Sequence, residues 1–222
     1  MTRAVIITGG GMGLRMGSAV PKQFIEIKGK PLIVHTIGVF LNYDWNMMIV
    51  VVLPLEYFEL WENMKREYFP DKEIYLTSGG KTRFDSVKNG LKLLNGEMII
   101  GIHDAVRPLV SPDVISECFK LAQEKGSAVP VISLNESVRK TDGKKNYPVF
   151  REGLKIIQTP QVFKGDLLIN AYKRNFKDEF TDDATVVEKS GVTVYLTEGN
   201  PENIKITTPY DMKLADFLLG NN

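Results

Sequence analysis

The chain has 222 residues, and its 28 Lys plus Arg against 27 Asp plus Glu give a formal net charge of +1. Its composition, 43% hydrophobic and 25% charged residues, is that of a globular protein and excludes a disordered, fibrous or coiled-coil chain. Without an overall positive charge, the chain is not expected to bind nucleic acid or an acidic membrane surface, so any anion site must be assembled locally.

Cysteine and histidine content narrows the chemistry further. The single Cys118 excludes an internal disulfide framework and a multi-cysteine zinc site, and two histidines cannot form a histidine-rich metal site. The longest apolar stretch, Met47 to Leu55, is far shorter than the ~20 residues needed to cross a bilayer. The N-terminus also lacks the features of a secretory signal, and we therefore expect a cytoplasmic protein.

In the first half of the chain, short runs rich in β-branched residues alternate with longer stretches of helical spacing. The predicted strands are Ala4–Thr8, Met47–Leu53, Glu73–Thr77, Met98–His103 and Ala128–Ile132. The predicted helices are Leu32–Leu41, Glu56–Arg66, Ser86–Leu94 and Asp113–Lys125. This alternation predicts an α/β fold, Rossmann-like, with a mostly parallel twisted sheet flanked by helices.

The alternation breaks between residues 133 and 154. The segment contains an Asp142-Gly143 turn signal with basic residues beside it and little apolar sequence. It could form a protruding β-arm that pairs Val138 with Val149 and Phe150 across the turn and packs on another subunit. A solvated surface loop explains the same residues equally well.

Regular patterns return after this segment. Helical spacing marks Leu167–Arg174 and Ala184–Lys189, a strand-like run marks Val192–Leu196, and a last helix is predicted at Pro209–Leu219. No internal repeat or low-complexity linker interrupts the chain. Residues 1–222 are therefore predicted to form one domain that carries an arm at about 133–154.

A glycine-rich loop follows the first predicted strand. Four glycines between Gly9 and Gly13 leave backbone N–H groups uncovered, and Arg15 and Lys22 add two cations, a combination typical of phosphate binding. The dinucleotide-binding fingerprint fails because Met16 stands where its third glycine is required. A tight turn without a ligand is the alternative, which the two cations disfavour.

The second predicted strand-end loop reads Ser78-Gly-Gly-Lys-Thr-Arg-Phe-Asp-Ser86. Gly79 and Gly80 would let a flat base approach the backbone, and Ser86 could donate a hydrogen bond near the start of the helix. An N-capped turn, with Asp85 or Ser86 as the cap, accounts for these residues without a ligand.

A third loop follows the predicted strand that ends at His103. Ligands of parallel α/β sheets collect beyond the carboxyl ends of the strands, where Asp104 and Arg107 stand. A carboxylate such as Asp104 suits Mg²⁺, which takes carboxylate and phosphate oxygens. An Asp104–Arg107 ion pair is the structural alternative, and His103, His35 and Cys118 are interpreted as structural residues.

Three polar clusters lie late in the chain. They are Gln158-Thr159-Pro160-Gln161, Thr181-Asp182-Asp183 and Asn203-Ile204-Lys205-Ile206-Thr207. Helix capping is the leading interpretation of the second cluster. The third has the pattern of a strand whose Lys205 points away from Ile204 and Ile206, toward solvent or a ligand.

In this order, the clusters resemble those of the 2-C-methyl-D-erythritol 4-phosphate cytidylyltransferases and the related ribitol-5-phosphate cytidylyltransferases, over nearly the whole chain. The matching motifs are GMGLRMG with PKQF, GGKTRFDSV, HDAVRP, QTPQ, TDDATVVE and NIKITTPYD. Each is weak alone, and six in the right order are highly specific. Thr181-Asp182-Asp183-Ala184 favours the methylerythritol branch, whereas Val106 and the run TTPYDMKLA are similar to the ribitol branch.

The resemblance implies transfer of CMP from CTP to 2-C-methyl-D-erythritol 4-phosphate in non-mevalonate isoprenoid biosynthesis, with D-ribitol 5-phosphate as the alternative acceptor. It implies Mg²⁺, or another divalent cation, as cofactor, held by Asp104; Glu202 stands where the family commonly has a second acid. It further implies a homodimer that exchanges its arms. On the arm, Ser137 occupies a position where the family usually has Thr.

The site residues are carried over by the same resemblance. The implied catalytic cations are Arg15, Lys22 and Lys205. The implied nucleotide-binding residues are Gly9, Gly10, Gly11, Gly13, Gly80, Ser86 and Asp104. The implied acceptor-binding residues are Arg107, Ser137, Arg151, Thr159, Thr181 and Lys205.

Two other classes of function use some of the same features. A Rossmann oxidoreductase would require the complete fingerprint and an acid at the end of the second strand, where Leu53-Pro54 stands. A non-catalytic nucleotide sensor could use the same phosphate loops. The joint presence of Arg15, Lys22 and Lys205 disfavours the sensor, because a binder gains little from cations at the reacting phosphorus.

Overall fold

The computed structural model describes residues 1–10 and 21–220 and contains an eight-stranded sheet covered by helices on both faces. In chain order the strands are β1 (Arg3–Thr8), β2 (Glu26–Ile27), β3 (Lys30–Pro31), β4 (Met48–Leu53), β5 (Ile74–Ser78), β6 (Ile99–Asp104), β7 (Ser127–Ser133), β8 (Val138–Thr141), β9 (Asn146–Val149), β10 (Lys155–Ile157), β11 (Gln161–Lys164) and β12 (Leu196–Glu198). The helices are α1 (Leu32–Tyr43), α2 (Phe58–Tyr68), α3 (Arg83–Leu91), α4 (Pro112–Lys125), α5 (Gly165–Ala171), α6 (Asp183–Glu188) and α7 (Pro209–Leu219).

The half of the sheet formed by β6, β1, β4 and β5 is parallel throughout. Strands β1, β4 and β6 are almost fully buried and rich in Val and Ile, as expected where helices cover both faces of a sheet. In β5, at the edge of the sheet, only Ile74 is buried. Thr8 pairs with Val52 of β4 and with Asp104 of β6. The carboxyl ends of all four strands therefore meet at one edge, and the loops that follow them converge.

The predicted mostly parallel sheet is confirmed, and its other half also contains antiparallel pairs. Strand β11 inserts between β6 and β7 and runs antiparallel to both, with Gln161 opposite Ile102. Strand β10 is antiparallel to β7, and β12 is parallel to it. The sheet is thus mixed and mostly parallel, and β11 places the preceding Thr159 beside Asp104.

Two apolar layers fix the helices on the sheet. Helices α1, α2 and α4 pack on one face around Phe40, Trp61 and Phe119, and α3, α5 and α6 pack on the other. Burial of these large side chains is the main stabilising contribution to such a fold. A smaller cluster, which includes Ile206 and Ala215, attaches α7 beside the loop that follows β6.

Several predicted boundaries shift. Helix α3 begins at Arg83 rather than Ser86, because Thr82 and Asp85 form a capping box at its start. The strand predicted at Val192–Leu196 is found at Leu196–Glu198. The strand predicted for Asn203–Thr207 is wrong, since these residues have irregular backbone. The Ile206 N–H donates to the Val106 carbonyl (3.0 Å), and side chains fix the rest of the segment.

The segment between β7 and β10 forms a hairpin rather than an irregular loop. Strands β8 and β9 pair antiparallel with Val138 opposite Val149. Gly143, at φ 90°, takes the left-handed turn conformation that glycine tolerates best. Phe150, at the foot of the hairpin, is 90% exposed, and the packing of this arm on another subunit stays a prediction.

Across residues 1–10 and 21–220, no helix combines the length and apolarity that a membrane crossing needs.

Candidate active site

The loops at the carboxyl edge of the parallel strands enclose a cleft, here called the glycine-lined cleft. Its described lining residues are Thr8, Gly9, Gly10, Lys22, Gln23, Gly80, Lys81, Thr82, Arg83, Ser86, Asp104, Val106 and Lys205. Seven residues expected at the site from sequence are among them: Gly9, Gly10, Lys22, Gly80, Ser86, Asp104 and Lys205. Gly11, Gly13 and Arg15 lie outside the described residues.

The start of the first loop is fixed through its backbone. The Gly9 N–H donates to the Val52 carbonyl (2.9 Å), and the buried Gln23 amide donates to the Gly9 carbonyl (2.6 Å). A Cβ at Gly9 would lie 2.7 Å from Leu53 Cδ2, so a larger residue would force the buried Leu53 side chain to move. Because Gln23 is anchored in this way, its neighbour Lys22 is held at the wall of the cleft.

The second loop packs tightly against the first turn of α3. The Gly80 N–H donates to Ser86 Oγ (3.0 Å), and this hydroxyl donates to the Thr82 carbonyl (3.0 Å). The N-cap of α3 is Thr82, with Asp85 as its reciprocal partner, whereas the capped-turn alternative assigned the cap to Asp85 or Ser86. A Cβ at Gly80 would lie only 2.2 Å from Asp85 Cβ.

Asp104, at the end of β6, faces three cations. Its Oδ2 is 3.0 Å from Lys205 Nζ and 3.2 Å from Arg107 Nε, and its Oδ1 is 3.9 Å from Arg83 Nε. Burial alone would raise the pKa of this carboxyl, but Lys205, and then Arg83 and Arg107, hold its pKa well below the usual range. The Asp104–Arg107 ion pair, which was the structural alternative for this loop, is present, and Asp104 is an ionised carboxylate.

A second cleft adjoins the first and is here called the threonine-lined cleft. Its described lining residues are Arg83, Asp104, Arg107, Ile157, Gln158, Thr159, Gln161, Thr181, Asp182 and Lys205. Four of the expected acceptor-binding residues are among them: Arg107, Thr159, Thr181 and Lys205. The two clefts share Arg83, Asp104 and Lys205, so ligands in the two would meet at a carboxylate and two cations.

His103 and Thr159 fix the position of the loop after β6. Thr159 Oγ1 accepts a bond from the Asp104 N–H (3.2 Å) and donates to His103 Nδ1 (3.0 Å), while His103 Nε2 donates to the Arg107 carbonyl (3.0 Å). Burial lowers the pKa of His103 to about 4, so the ring is neutral at pH 7. His103 is a structural residue, as predicted.

Lys205 reaches the clefts on an irregular segment that side chains hold in place. Arg107 Nη1 donates to the Asn203 carbonyl (2.7 Å), and the Asn203 amide donates to the Thr159 carbonyl (2.8 Å). Gln158 Nε2 donates to the Asn200 carbonyl (2.9 Å). These bonds replace the ladder of the strand that the sequence pattern predicted.

Arg83 belongs to both clefts and was not identified from the sequence. Its guanidinium binds both oxygens of the fully buried Asp183, from Nη1 to Oδ1 (2.8 Å) and from Nη2 to Oδ2 (2.6 Å). The available signal was a basic residue three positions after the strand-end pair Gly79-Gly80. Its partner Asp183 lies 100 positions away in the chain and was interpreted only as a helix-start residue. The N-cap of α6 is Asp182.

Three expected site residues line neither cleft of their own chain. Ser137 and Arg151 are exposed on the arm, where the Arg151 guanidinium donates to the Asn135 carbonyl. Glu202 is exposed and accepts a bond from the Asn200 amide (3.2 Å), away from Asp104. Among the described residues, no three His, Cys, Asp or Glu side chains cluster as metal ligands, so Asp104 is the carboxylate available in the glycine-lined cleft.

Comparison with known proteins identifies one family. The family model for 2-C-methyl-D-erythritol 4-phosphate cytidylyltransferase matches residues 3–221. The proteins of that name from Bacteroides fragilis and Bacteroides thetaiotaomicron are 50% and 46% identical to this chain, over 99% of it and 100% of each relative.

Solved structures agree with the sequence relatives. The 4-diphosphocytidyl-2C-methyl-D-erythritol synthase of Anaerococcus prevotii has a TM-score of 0.83 at 27% identity, covering 99% of this chain and 96% of its own. The 2-C-methyl-D-erythritol 4-phosphate cytidylyltransferase of Thermus thermophilus has a TM-score of 0.77 at 28% identity, covering 98% of both chains.

Proposed function

Because the chain belongs to the 2-C-methyl-D-erythritol 4-phosphate cytidylyltransferase family, we propose that it transfers the cytidylyl group of CTP to 2-C-methyl-D-erythritol 4-phosphate. The products are 4-diphosphocytidyl-2-C-methyl-D-erythritol and pyrophosphate, and the reaction belongs to isoprenoid biosynthesis. Relatives at this level of identity carry the name of the methylerythritol enzyme, so ribitol 5-phosphate is not favoured as the acceptor.

The observation that carries this proposal is the junction of the two clefts. CTP would occupy the glycine-lined cleft and the acceptor the threonine-lined cleft, and the residues common to both would then surround the reacting phosphates. Two substrates held side by side react as one complex, which removes most of the entropic cost of their encounter. A nucleotide sensor has no use for a second cleft that opens at the same cations.

In the proposed reaction, an oxygen of the acceptor phosphate attacks the α-phosphorus of CTP in line. A phosphorus–oxygen bond forms there while the bond between the α-phosphorus and its bridging oxygen to the β-phosphate breaks, and pyrophosphate carries away the electron pair. The attacking oxygen is ionised at neutral pH, so no base is needed, and no covalent enzyme intermediate forms. Catalysis then rests on positioning and on cations beside oxygens that gain charge.

Three basic side chains would stabilise the charge that develops on the reacting phosphates. Lys22 lines the glycine-lined cleft, and Lys205 lies where the clefts meet; together with Arg15 they would stabilise the charge on the pentavalent transition state. Gly9, Gly10, Gly80 and the Ser86 loop would hold the nucleotide through backbone groups; Gly11 and Gly13 belong to the same proposed loop.

A divalent cation fits the donor set at Asp104. Mg²⁺ is commonly held by one or two carboxylates while substrate phosphates supply further oxygens, and Asp104 is an ionised carboxylate at the wall of the glycine-lined cleft. When bound, Mg²⁺ would neutralise phosphate charge. Glu202 is left out of this proposed site, because it faces Asn200 instead.

Arm exchange in a homodimer would complete the acceptor site. Ser137 and Arg151 line neither cleft of their own chain, and the arm beside them exposes Tyr147 and Phe150. An arm from a partner subunit would bury this apolar surface and bring Arg151 to the acceptor phosphate. The unit in this proposal is one nucleotidyltransferase domain, residues 1–222, working in the cytoplasm.

Mixed dimers test the exchange directly. Lys22→Ala and Arg151→Ala homodimers should both be defective at low acceptor concentration. In a mixed dimer with exchanged arms, one site combines Lys22 with the partner's intact arm and regains activity. Without exchange, both sites of the mixed dimer keep one defect, and mixing restores nothing.

The test of the function itself is pyrophosphate release from CTP with Mg²⁺ and either 2-C-methyl-D-erythritol 4-phosphate or D-ribitol 5-phosphate. We expect rapid release with the first acceptor and little with the second. Release with neither would favour the sensor, and faster release with the ribitol compound would assign the chain to the other branch.

A further inference from the structure

The Arg83–Asp183 pair lies beside Asp104, and Asp183 has no assigned role in the reaction. Both terminal nitrogens of Arg83 bind the Asp183 carboxylate, at 2.8 and 2.6 Å. The remaining edge of the guanidinium, at Nε, faces Asp104 Oδ1 at 3.9 Å. This distance gives charge attraction but exceeds the 2.7–3.2 Å of an N–H···O hydrogen bond.

Asp183 is itself held rigidly. It is fully buried at the first turn of α6, and the Tyr172 hydroxyl donates to its Oδ1 (2.6 Å). The ring of Tyr172 stacks on Phe84, the neighbour of Arg83, with centroids 4.6 Å apart. The carboxylate therefore has a fixed position, and a bidentate pair transmits that position to the guanidinium.

The fixed position of Arg83 matters because several cations compete for the two oxygens of Asp104. Lys205 and Arg107 both contact Oδ2, at 3.0 and 3.2 Å, whereas Oδ1 has only the distant Arg83 among the ion pairs of the described residues. A shift of Arg83 by about 1 Å would convert its contact into a charge-assisted hydrogen bond. Oδ1 would then be closed to any ligand that needs a lone pair.

We propose that Asp183 is a positioning residue that restrains Arg83 and so keeps Asp104 Oδ1 open to the divalent cation. This inference rests on the proposed function, in that Asp104 is taken to bind the metal. Loss of the Asp183 charge would release Arg83 to pair with Asp104 and would weaken metal binding without touching a metal ligand. Outer-shell groups of this kind typically change metal affinity 10–100-fold.

The experiment measures how strongly Mn²⁺ enhances CTP binding in the absence of acceptor. The dissociation constant of CTP is determined by calorimetry with Mn²⁺ and with EDTA, and the ratio of the two constants reports the metal contribution alone. Effects of a substitution on metal-free CTP binding cancel in this ratio. The variants are Asp183→Asn, Tyr172→Phe, Asp104→Asn and the double variant Asp183→Asn with Arg83→Met.

We expect Asp183→Asn to reduce the Mn²⁺ enhancement by about 10-fold, and the double variant to restore it, because the double variant lacks the guanidinium that would occupy Asp104. A reduction that the double variant does not reverse would assign Asp183 a merely structural role and overturn the proposal. An unchanged ratio in Asp183→Asn would overturn it as well. If Asp183→Asn fails to fold by circular dichroism, Tyr172→Phe decides: a smaller loss of enhancement supports the restraint, and no loss contradicts it.

Asp104→Asn distinguishes a failure of the proposed metal role of Asp104 from a failure of the proposed restraint by Asp183. If it leaves the Mn²⁺ enhancement unchanged, the metal role of Asp104 in the proposed function is wrong. If it abolishes the enhancement while Asp183→Asn does not reduce it, only the restraint by Asp183 is wrong.

Discussion

Replacement of Gly80 by alanine tests whether the second loop holds the nucleotide. The new Cβ would lie 2.2 Å from Asp85 Cβ and 3.1 Å from the Asp85 carbonyl carbon, where ordinary contact begins at 3.4 Å. The loop must therefore move by at least about 1.2 Å relative to α3, since the atoms it meets are backbone or next to it. The bond from the Gly80 N–H to Ser86 Oγ would break with that movement.

A misplacement of about 1 Å in a positioning group can cost on the order of 10²-fold in rate. We therefore expect Gly80→Ala to lower kcat/KM for CTP by about 10²-fold in the pyrophosphate-release assay, with a stability loss of about 1–3 kcal/mol, as for other overpacked sites. Wild-type kcat/KM in a folded variant would refute the assignment of this loop to the nucleotide.

Gly38→Ala is the matched control for this substitution. Gly38 lies inside α1, and its added Cβ would meet nothing within 4 Å. Because alanine is favoured over glycine in a helix by about 0.5–1 kcal/mol, the control should gain stability in urea unfolding and keep wild-type kcat/KM.

Three further predictions concern other parts of the chain. Lys22→Ala, and likewise Arg15→Ala, should lose on the order of 10² in kcat with a smaller change in CTP affinity, since these groups act mainly in the transition state; equal losses in turnover and binding would contradict that role. Arg151→Ala should raise KM for the acceptor and leave CTP binding by calorimetry intact, and weakened CTP binding alone would count against it. Burial lowers the pKa of His103 to about 4, so between pH 6.5 and 4 this residue takes up a proton only in the unfolded chain. The free energy of unfolding should therefore fall as the pH is lowered through this window, by up to about 3 kcal/mol. In urea unfolding at pH 7, 6 and 5, the free energy of unfolding should depend less steeply on pH for His103→Gln than for the wild type. An equal slope in the two proteins would refute the lowered pKa of His103.

The parallel half of the sheet could be predicted from the sequence because each of its strands is marked by a local run of apolar residues. Runs such as Met48–Leu53 are long enough, and apolar enough, to read as strands buried on both faces. Since the carboxyl ends of parallel strands share an edge, the loops at Gly9, Gly80 and Asp104 had to converge. The helix at Pro209–Leu219 was also predicted with the boundaries observed, because Pro marks its first turn.

The remaining features depend on contacts between distant residues. Strand β11 is a short run after Pro160, and its place between β6 and β7 comes from cross-strand pairing that no local period encodes. Lys205 was placed on a strand, but its segment is fixed by side chains of Arg107 and Gln158 instead. The Arg83–Asp183 pair was missed for the same reason, since each residue alone resembles an ordinary helix-start residue.

The resemblance to the family contributed what the residues alone left open. Gly80 and Ser86 read equally well as a capped turn, and the structure shows that Ser86 does bond within that turn. The resemblance assigned Ser137 and Arg151 to the acceptor, whereas the structure places both on an exposed arm outside the clefts. The proposed arm exchange would reconcile the two, because the arm would then serve a partner subunit.

In the proposed reaction, a cytidylyl group passes between ligands held in the two clefts that meet at Asp104, Arg83 and Lys205. The most direct measurement follows the α-phosphorus of CTP, labelled with ³²P, in the presence of 2-C-methyl-D-erythritol 4-phosphate and Mg²⁺. We expect the label to appear in the diphosphocytidyl product in equal amount to the pyrophosphate released. Label found in free CMP, or retained in CTP while the acceptor is present, would contradict the account.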